Sequence, residues 1–319
     1  MYFLFLFTEN EVFNYSSMLL NYITWSVNPE LISIGPLTVR WYGALWALGI
    51  FLCLLIVGKL YKHEKLPESW MDKQFLYVVI GAIVGARLGH CFFYEWHLLA
   101  NPVEILGITF KYGNPYLAKP WELLYIWQGG LASHGGALGI MIAMYFYNKN
   151  VTHKGFIWGF DRLVIGVAIT GACIRLGNLM NSEIYGSATN LPWGFIFVRD
   201  GQTEPMHPTQ IYEMLYCLVT FAVTWWMYWK KQSYKKIGMI FGVFLIGIFG
   251  TRFLLEFIKL NQEAFESGMW LNMGQILSIP FIIWGLYLIF FYSKNHIQPD
   301  EIPVVTEKVR QPKPKKQKK

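Results

Sequence analysis

Charged side chains are scarce in this sequence: Asp, Glu, Lys and Arg make up 15% of its 319 residues, where a soluble domain carries about 25%. That scarcity argues against an ordinary water-exposed surface. Only four cysteines occur, Cys53, Cys91, Cys173 and Cys217, all in separate apolar stretches. With no CxxC or Cys/His ligand spacing, neither a disulfide framework nor a zinc site is indicated, and they read as core residues. No GxSxG, HExxH, Walker A or Asp-rich metal loop is present, which argues against a membrane serine or zinc protease. The opening run MYFLFLFT lacks a basic segment and is too short for a secretory signal. Met18 opens an alternative start, MLLNYITWSVNPE. Residues 1–17 are therefore expected to be a start-site artefact; a mature N-terminus at Met1 by mass spectrometry would contradict this.

What the chain has in abundance is apolar surface. It is 54% hydrophobic and 18% aromatic, with mean hydropathy +0.33. Seven stretches approach the roughly 20 residues needed to cross a bilayer: about 40–60, 74–96, 122–147, 157–180, 208–229, 237–258 and 272–293. The fold class is therefore all-α, a polytopic membrane helical bundle of about seven transmembrane helices. Gly129-Gly130 and Gly135-Gly136 interrupt the third stretch and are expected to break or bend it. Lysines set the orientation. Lys59, Lys62, Lys65 and Lys73 follow the first span, Lys149 and Lys154 the third, and Lys230, Lys231, Lys235 and Lys236 the fifth. The alternate connections hold only Lys111, Lys119, Arg199 and Lys259. By the positive-inside rule the N-terminus lies outside and the C-terminus in the cytoplasm. The net charge of +7 is concentrated in residues 307–319, with seven basic side chains against one acidic. That tail reads as a solvated, disordered segment beside an anionic membrane face rather than as a nucleic-acid binder.

Ionisable residues inside spans are costly, so each needs a reason. Arg40, Arg87, His134, Arg162, Arg175, Arg252 and Glu256 are the candidates. With the orientation above, most fall toward the outer face, with His134 near the midplane. Asn178, Glu183, His207, Gln210, Tyr212 and Glu213 flank the outer loop between the fourth and fifth spans. The pattern predicts one site on one side, capped by the long loops at about 97–121 and 181–207. Each candidate also has a structural reading. Arg40 serves either as an interfacial anchor beside Trp41 and Tyr42 or in the site. Arg87 pairs with Glu95 or a helix end, Arg162 with Asp161, and Arg252 with Glu256 four residues on. His134 is either a hydrogen-bonded core residue or a catalytic one. Arg175 and Arg252 need anionic partners, which Glu183, Glu256 or a bound anionic headgroup would supply. Gly81 with Gly85 and Gly135 with Gly139 form GxxxG pairs, expected to pack helices closely.

ISIGPLTVRWYG (32–43), WQGGLASHGGALG (127–139), IRLGNLMNSEIYG (174–186), MHPTQIYE (206–213), TRFLLEF (251–257) and MGQILSIP (273–280) together resemble the bacterial prolipoprotein diacylglyceryl transferase family. The blocks run in family order over about residues 30–285. The resemblance implies a seven-span bacterial inner-membrane enzyme with its site toward the periplasm. Such an enzyme transfers the diacylglyceryl group of phosphatidylglycerol to the thiol of a prolipoprotein lipobox cysteine and releases glycerol phosphate. No cofactor, metal or nucleotide is implied. The partners are phosphatidylglycerol, the lipobox peptide and membrane lipid. Carried over by motif, Arg175 corresponds to an essential lipid-binding arginine, with Asn178, Glu183 and Gly186 in the same block. His134 corresponds to the histidine of the HGG block, Arg252 and Glu256 to the pair of the sixth span, Tyr42 to the tyrosine of the WYG block, and His207 to a loop histidine. His134, Arg175 and Arg252 are the expected catalytic residues; Arg175, Tyr42, Asn178, Glu183, Gly186, His207 and Glu256 are expected to bind substrate. One departure is Ile248, where many relatives have tyrosine; its role either lapses or passes to a group such as Tyr212. The expected organisation is an N-terminal extension at 1–30, a transferase domain at 31–295 and a basic tail at 296–319. A transporter or flippase for an anionic lipid is the alternative, and would need a polar path on the cytoplasmic side. A purely structural protein would leave the arginines unexplained.

Overall fold

The computed structural model describes residues 22–35, 37–93, 95, 97–105, 108–113, 116, 119–125, 132–259 and 270–298. The alternative start, Gly129-Gly130 and the basic segment 307–319 lie outside the described residues.

Long apolar runs fold as helices here despite many β-branched residues, because lipid offers their backbone no other hydrogen-bond partner. The helices are α1 (Trp41–His63), α2 (Glu68–Phe93), α3 (Ser133–Tyr147), α4 (Phe156–Met180) and α5 (Thr209–Trp229). Two further helical runs follow, α6 (Met239–Ile258) and α7 (Met273–Asn295). By length and composition, α1, α2, α4, α6 and α7 suffice to cross a membrane, so the chain is a multi-pass helical protein. Three two-stranded sheets accompany the helices. β1 (Ile23–Trp25) pairs in parallel with β6 (Phe195–Phe197). β2 (Glu30–Ile34) with β3 (Leu37–Arg40), and β4 (His97–Ile105) with β5 (Ile108–Gly113), are antiparallel hairpins.

The third expected span is shorter than its hydropathy suggests. Pro120–Leu124 forms a separate 3-10 turn, and the helix starts only at Ser133. Its 15 residues span about 22 Å at 1.5 Å per residue. Gly135 and Gly136 therefore lie in its first turn instead of breaking it, and His134 stands at a helix start rather than midway along one.

The two GxxxG pairs meet as expected. A Cβ on Gly81 would stand 2.7 Å from the Gly139 carbonyl oxygen, and one on Gly85 would stand 2.7 Å from the Gly139 Cα. Only hydrogen fits between α2 and α3 here. Arg87 of α2 donates from Nε to the Leu123 carbonyl at 3.1 Å and from Nη2 to the Glu122 carbonyl at 2.8 Å. It thus ties down the 3-10 turn, the helix-end alternative to Glu95. His90 Nε2 lies 2.9 Å from Glu95.

The end of α4 that carries Asp161 and Arg162 is more polar than the sequence indicates. Arg162 is buried and pairs with Glu64, not Asp161, at 2.6 Å from Nη2 to Oε2. Arg162 also donates to Gln298 Oε1 at 2.8 Å and to the Trp158 carbonyl at 3.0 Å. Asp161 accepts from the backbone N–H groups of Gly238 (2.6 Å) and Phe241 (2.8 Å), and so caps α6 from a neighbouring helix, where the dipole favours an anion. Tyr61 joins Gln74 and Tyr147 in a buried hydrogen-bonded chain, each contact 3.0 Å. The main apolar core lies beside this cluster, around Leu60, Ile165, Tyr228 and Ile240.

Candidate active site

At the other end of α4 the helix closes in a turn built around Glu183. The Glu183 N–H donates to the Asn178 carbonyl at 3.1 Å. Asn178 returns its amide to Glu183 Oε1 at 2.8 Å, and Asn181 adds a second donor at 3.2 Å. Ser182 (φ +57°) and Ile184 (φ +61°), on either side of Glu183, are left-handed. That conformation costs an L-residue roughly 1–2 kcal/mol, and a β-branched one is a genuine outlier there. The start of α5 holds the strained turn in place. Gln210 donates to the Glu183 carbonyl at 2.7 Å and Thr209 to the Ile184 carbonyl at 2.8 Å, both from fully buried side chains.

Gly186 lies where three segments cross. Its N–H donates to the His207 carbonyl at 2.8 Å, and it bridges Lys259. A Cβ there would stand 2.5 Å from the Ile258 carbonyl oxygen and 2.9 Å from the His207 Cβ. The residue is needed for close backbone approach; the structure gives it no side-chain function.

Five charged groups form a chain across α4, α5 and the end of α6. Arg175 Nε lies 3.0 Å from Glu213 Oε2. The other Glu213 oxygen accepts from Lys259 Nζ at 2.7 Å. Lys259 Nζ is also 3.7 Å from Glu256 Oε1, which lies 3.5 Å from Arg252 Nε. The chain alternates in sign: Arg175, Glu213, Lys259, Glu256, Arg252. Asn272, the N-cap of α7, donates to Glu256 Oε2 at 3.2 Å. Asn272 also forms a reciprocal capping box with Gln275. Gly274 leaves room for this carboxylate, since a Cβ there would stand 2.5 Å from Glu256 Cδ. Arg252 follows a π turn at Ile246–Gly250, which turns the rest of α6 relative to an unbroken α-helix. Such turns recur at functional sites.

Most of the expected residues converge. Arg175, Asn178, Glu183, Arg252 and Glu256 belong to one cluster, and Tyr42 at the start of α1 is within the electrostatic reach of Arg175 and Glu183. His134 is exposed at the start of α3, with Arg252 as its charged neighbour. The partner of Arg175, however, is Glu213 rather than Glu183, which the two asparagine amides hold. His207 stands to one side. Its Nδ1 lies 3.3 Å from the Tyr212 hydroxyl, which accepts from Trp193 Nε1 at 2.8 Å. Partial burial depresses the basicity of His207 below the ordinary histidine value. Arg40 is exposed at the head of α1, opposite Glu30 in the β2–β3 hairpin. Sequence reasoning missed Lys259, Asn272, Gly274 and Tyr216. Tyr216, one turn beyond Tyr212, is the tyrosine on which Glu213, Arg175 and Arg252 all act; its spacing from Glu213 on α5 was the available signal. Ile248 packs into the apolar core.

A family model described as prolipoprotein diacylglyceryl transferase matches residues 29–291. The chain belongs to that family. Similar curated proteins agree. The phosphatidylglycerol–prolipoprotein diacylglyceryl transferase of Porphyromonas gingivalis is 44% identical over 290 residues, covering 86% of this chain and 96% of its own. Proteins of the same name from Chloroherpeton thalassium and Tolumonas auensis are 41% and 39% identical. Each covers 85% of this chain, with 94% and 98% of its own length aligned. The family match encloses α1 through most of α7, and with them every member of the charged chain.

Proposed function

We propose that this protein transfers the diacylglyceryl group of phosphatidylglycerol to the lipobox cysteine of prolipoproteins, the first step of lipoprotein maturation. Family membership supports the reaction. The observation that carries the site is a pair of partly exposed guanidiniums backed by buried carboxylates: Arg175 Nε lies 3.0 Å from Glu213 and Arg252 Nε 3.5 Å from Glu256, and the Nη groups are the proposed donors to an anion. In the reaction the cysteine sulfur bonds to the glycerol carbon that carried the phosphate. The C–O bond breaks with its electron pair on oxygen, and glycerol phosphate leaves. Negative charge grows on that leaving group from one unit toward two, and the arginines stabilise the increase in a low-dielectric site. Only the thiolate attacks well, and a free cysteine has a pKa of about 8.5. His134 is the proposed base that takes the thiol proton. Tyr42, Asn178, Glu183 and Glu256 are proposed to bind substrate or hold the arginines that do. Gly186 acts through packing, and His207 through the loop over the site.

An apolar cavity of about 280 Å³ between α1 and α2, floored by α4, supports a lipid substrate. Trp46, Ile140, Thr170 and Ile174 line it, and Ile174 directly precedes Arg175. We place seven crossings in the membrane, with α3 and α5 completing the five long apolar helices. In this reading the N-terminus is outside, the lysine-rich connections are cytoplasmic, and the site faces the periplasm from the inner membrane. The transport alternative needs a polar route past the opposite end of α4. There Trp158, Asp161, Arg162 and Tyr228 are packed to 1% exposure or less, which counts against it.

The test is incubation with labelled phosphatidylglycerol and a lipobox peptide. A peptide mass gain of one diacylglyceryl unit is expected, lost in a folded Arg175→Ala variant. Wild-type transfer by Arg175→Ala would overturn the anion site. Near-normal activity with an unchanged pH–rate profile in His134→Asn would remove the base role.

A further inference from the structure

Lys259 was expected to be a loop lysine outside the sixth span. It is instead buried, its side chain 4% exposed, with Glu213 at 1% and Glu256 at 5%. The two arginines are open by comparison, at 23% and 29%. The cluster thus has two layers: a buried Glu213–Lys259–Glu256 base and two guanidiniums in front of it. Lysines are rarely buried unless paired, and this one is paired twice.

We propose that Lys259 is a positioning residue that keeps Arg175 and Arg252 available to the anionic lipid headgroup by sharing their two carboxylates. This rests on the transferase reading above. With the lysine, three cations face two carboxylates and the chain carries one net positive charge. Without it the charges cancel, and each carboxylate has only its arginine to satisfy it. A carboxylate with one cationic partner draws it into a bidentate fork through Nε and Nη, which consumes the donors a phosphodiester needs. The lysine takes up one Glu213 oxygen at 2.7 Å, so that Arg175 meets the other through Nε. Gly186 serves the same end: lacking a Cβ, it lets the Ile258–Lys259 backbone close against the loop. Unlike the arginines, Lys259 need not touch the lipid at all.

The experiment compares wild type, Lys259→Met and Lys259→Arg as intact, monodisperse protein in detergent. Retention of phosphatidylglycerol and of phosphatidylcholine is read by native mass spectrometry, and transfer to a lipobox peptide is measured in parallel. Lys259→Met is expected to bind phosphatidylglycerol at least tenfold more weakly, with KM for that lipid raised in step and phosphatidylcholine retention unchanged. Lys259→Arg should stay within threefold of wild type. A lesion that merely lowered the folded fraction would reduce kcat and leave KM and lipid selectivity alone. Phosphatidylglycerol affinity and KM within twofold of wild type in Lys259→Met would overturn the proposal. If that variant does not fold, Lys259→Met/Glu213→Gln removes the carboxylate that would capture Arg175 and restores one net positive charge; it should fold and bind phosphatidylglycerol within threefold of wild type, and weaker binding there would overturn the proposal equally. If neither is monodisperse, the lysine holds the fold instead of the headgroup site, and the proposal falls. Absence of transfer by wild type would count against the transferase reading alone, because the lipid-retention comparison still decides the role of the lysine.

Discussion

The placement of Glu256 can be probed without touching a charge. In Gly274→Ala the new methyl would stand 2.5 Å from both Cδ and Oε1 of Glu256. Ordinary contact begins near 3.5 Å, so the carboxylate must retreat by about 1 Å. The tip of a glutamate swings easily, and the fold should survive. What changes is its distance to Lys259 and Arg252, now 3.7 and 3.5 Å. At an effective dielectric of about 20, a 1 Å retreat weakens each ion pair by about 1 kcal/mol. Screening at the partly exposed Arg252 reduces its share, which leaves about 1.5 kcal/mol in total. That corresponds to a fall in Tm of roughly 3–6 °C. Arg252 must either follow the carboxylate or lose its anchor, and a 1 Å misplacement in an active site costs up to about 100-fold. The expected result is therefore a folded protein, slightly less stable, with kcat/KM for diacylglyceryl transfer down about 10- to 100-fold. Gly250→Ala is the control: it lies two residues before Arg252, and its Cβ would make only an ordinary contact, 3.9 Å from Ile246. Scanning fluorimetry in detergent and the peptide transfer assay read both variants. Wild-type Tm and kcat/KM in Gly274→Ala would show that the carboxylate has room to spare and does not fix Arg252.

Gly85→Val should force α2 from α3, because a Cβ there already meets the Gly139 backbone at 2.7 Å; a loss of about 1–3 kcal/mol, read by thermal denaturation, should be accompanied by loss of transfer as His134 moves with α3. Glu64→Gln removes the carboxylate of a pair exposed by only 0% and 2%, which should cost about 3–5 kcal/mol in stability while the protein that remains folded keeps a wild-type KM for phosphatidylglycerol. His207 has a depressed pKa in the folded protein, so the unfolded chain binds its proton more readily. Its contribution is thus fully present above the unfolded value of about 6.5 and declines as pH falls below it. Tm measured between pH 5 and 8 should drop more steeply on the acid side in wild type than in His207→Gln, and parallel curves would exclude the histidine.

What the sequence revealed follows from locality. The α1, α2, α4, α6 and α7 runs are legible because lipid demands one long apolar segment per crossing, and such segments are contiguous. Arg175 with Asn178 and Arg252 with Glu256 are legible for a similar reason, being one turn apart on a helix. Apolar composition misled at 122–125, which lie in and beside a 3-10 turn: hydropathy alone does not distinguish a span from an apolar approach to one, and α3 begins at Ser133. Pairings between elements were out of reach. Arg175 finds Glu213 across α4 and α5, and Arg162 finds Glu64 98 residues away, where the adjacent Asp161 seemed the natural partner. Lys259 was misread because a charge just past a span ordinarily faces water. Only the fold shows that the Ile258–Lys259 backbone pairs with Gly186 and Ser187. The left-handed Ile184 contradicts its own propensity, and such conflicts concentrate at functional sites.

Among the described residues four arginines lie within the long helices, Arg87, Arg162, Arg175 and Arg252, and neither number nor depth tells which of them meet substrate. Their donors do. Arg162 gives Nε and one Nη2 proton to Glu64, the other Nη2 proton to Gln298 and an Nη1 proton to Trp158, and its plane lies 4.3 Å from the Trp158 ring centre. Four of the five N–H groups of a guanidinium are thereby committed, and the residue is closed to solvent. Arg87 is likewise committed to carbonyls of the 3-10 turn. Arg175 has the same chemistry and a carboxylate at 3.0 Å, yet among the described residues it adds to its Nε contact a single long bond, 3.4 Å from Nη1 to Asn178. Arg252 Nε lies 3.5 Å from Glu256 and is buried without a hydrogen bond among the described residues. A saturated arginine in a closed cluster stabilises helix packing. An arginine held by one edge and partly exposed, as Arg175 and Arg252 are at 23% and 29%, keeps donors that an anion can use. The two ends of α4 thus carry the same kind of ion pair in opposite states of completion, and the incomplete end is where phosphate chemistry fits.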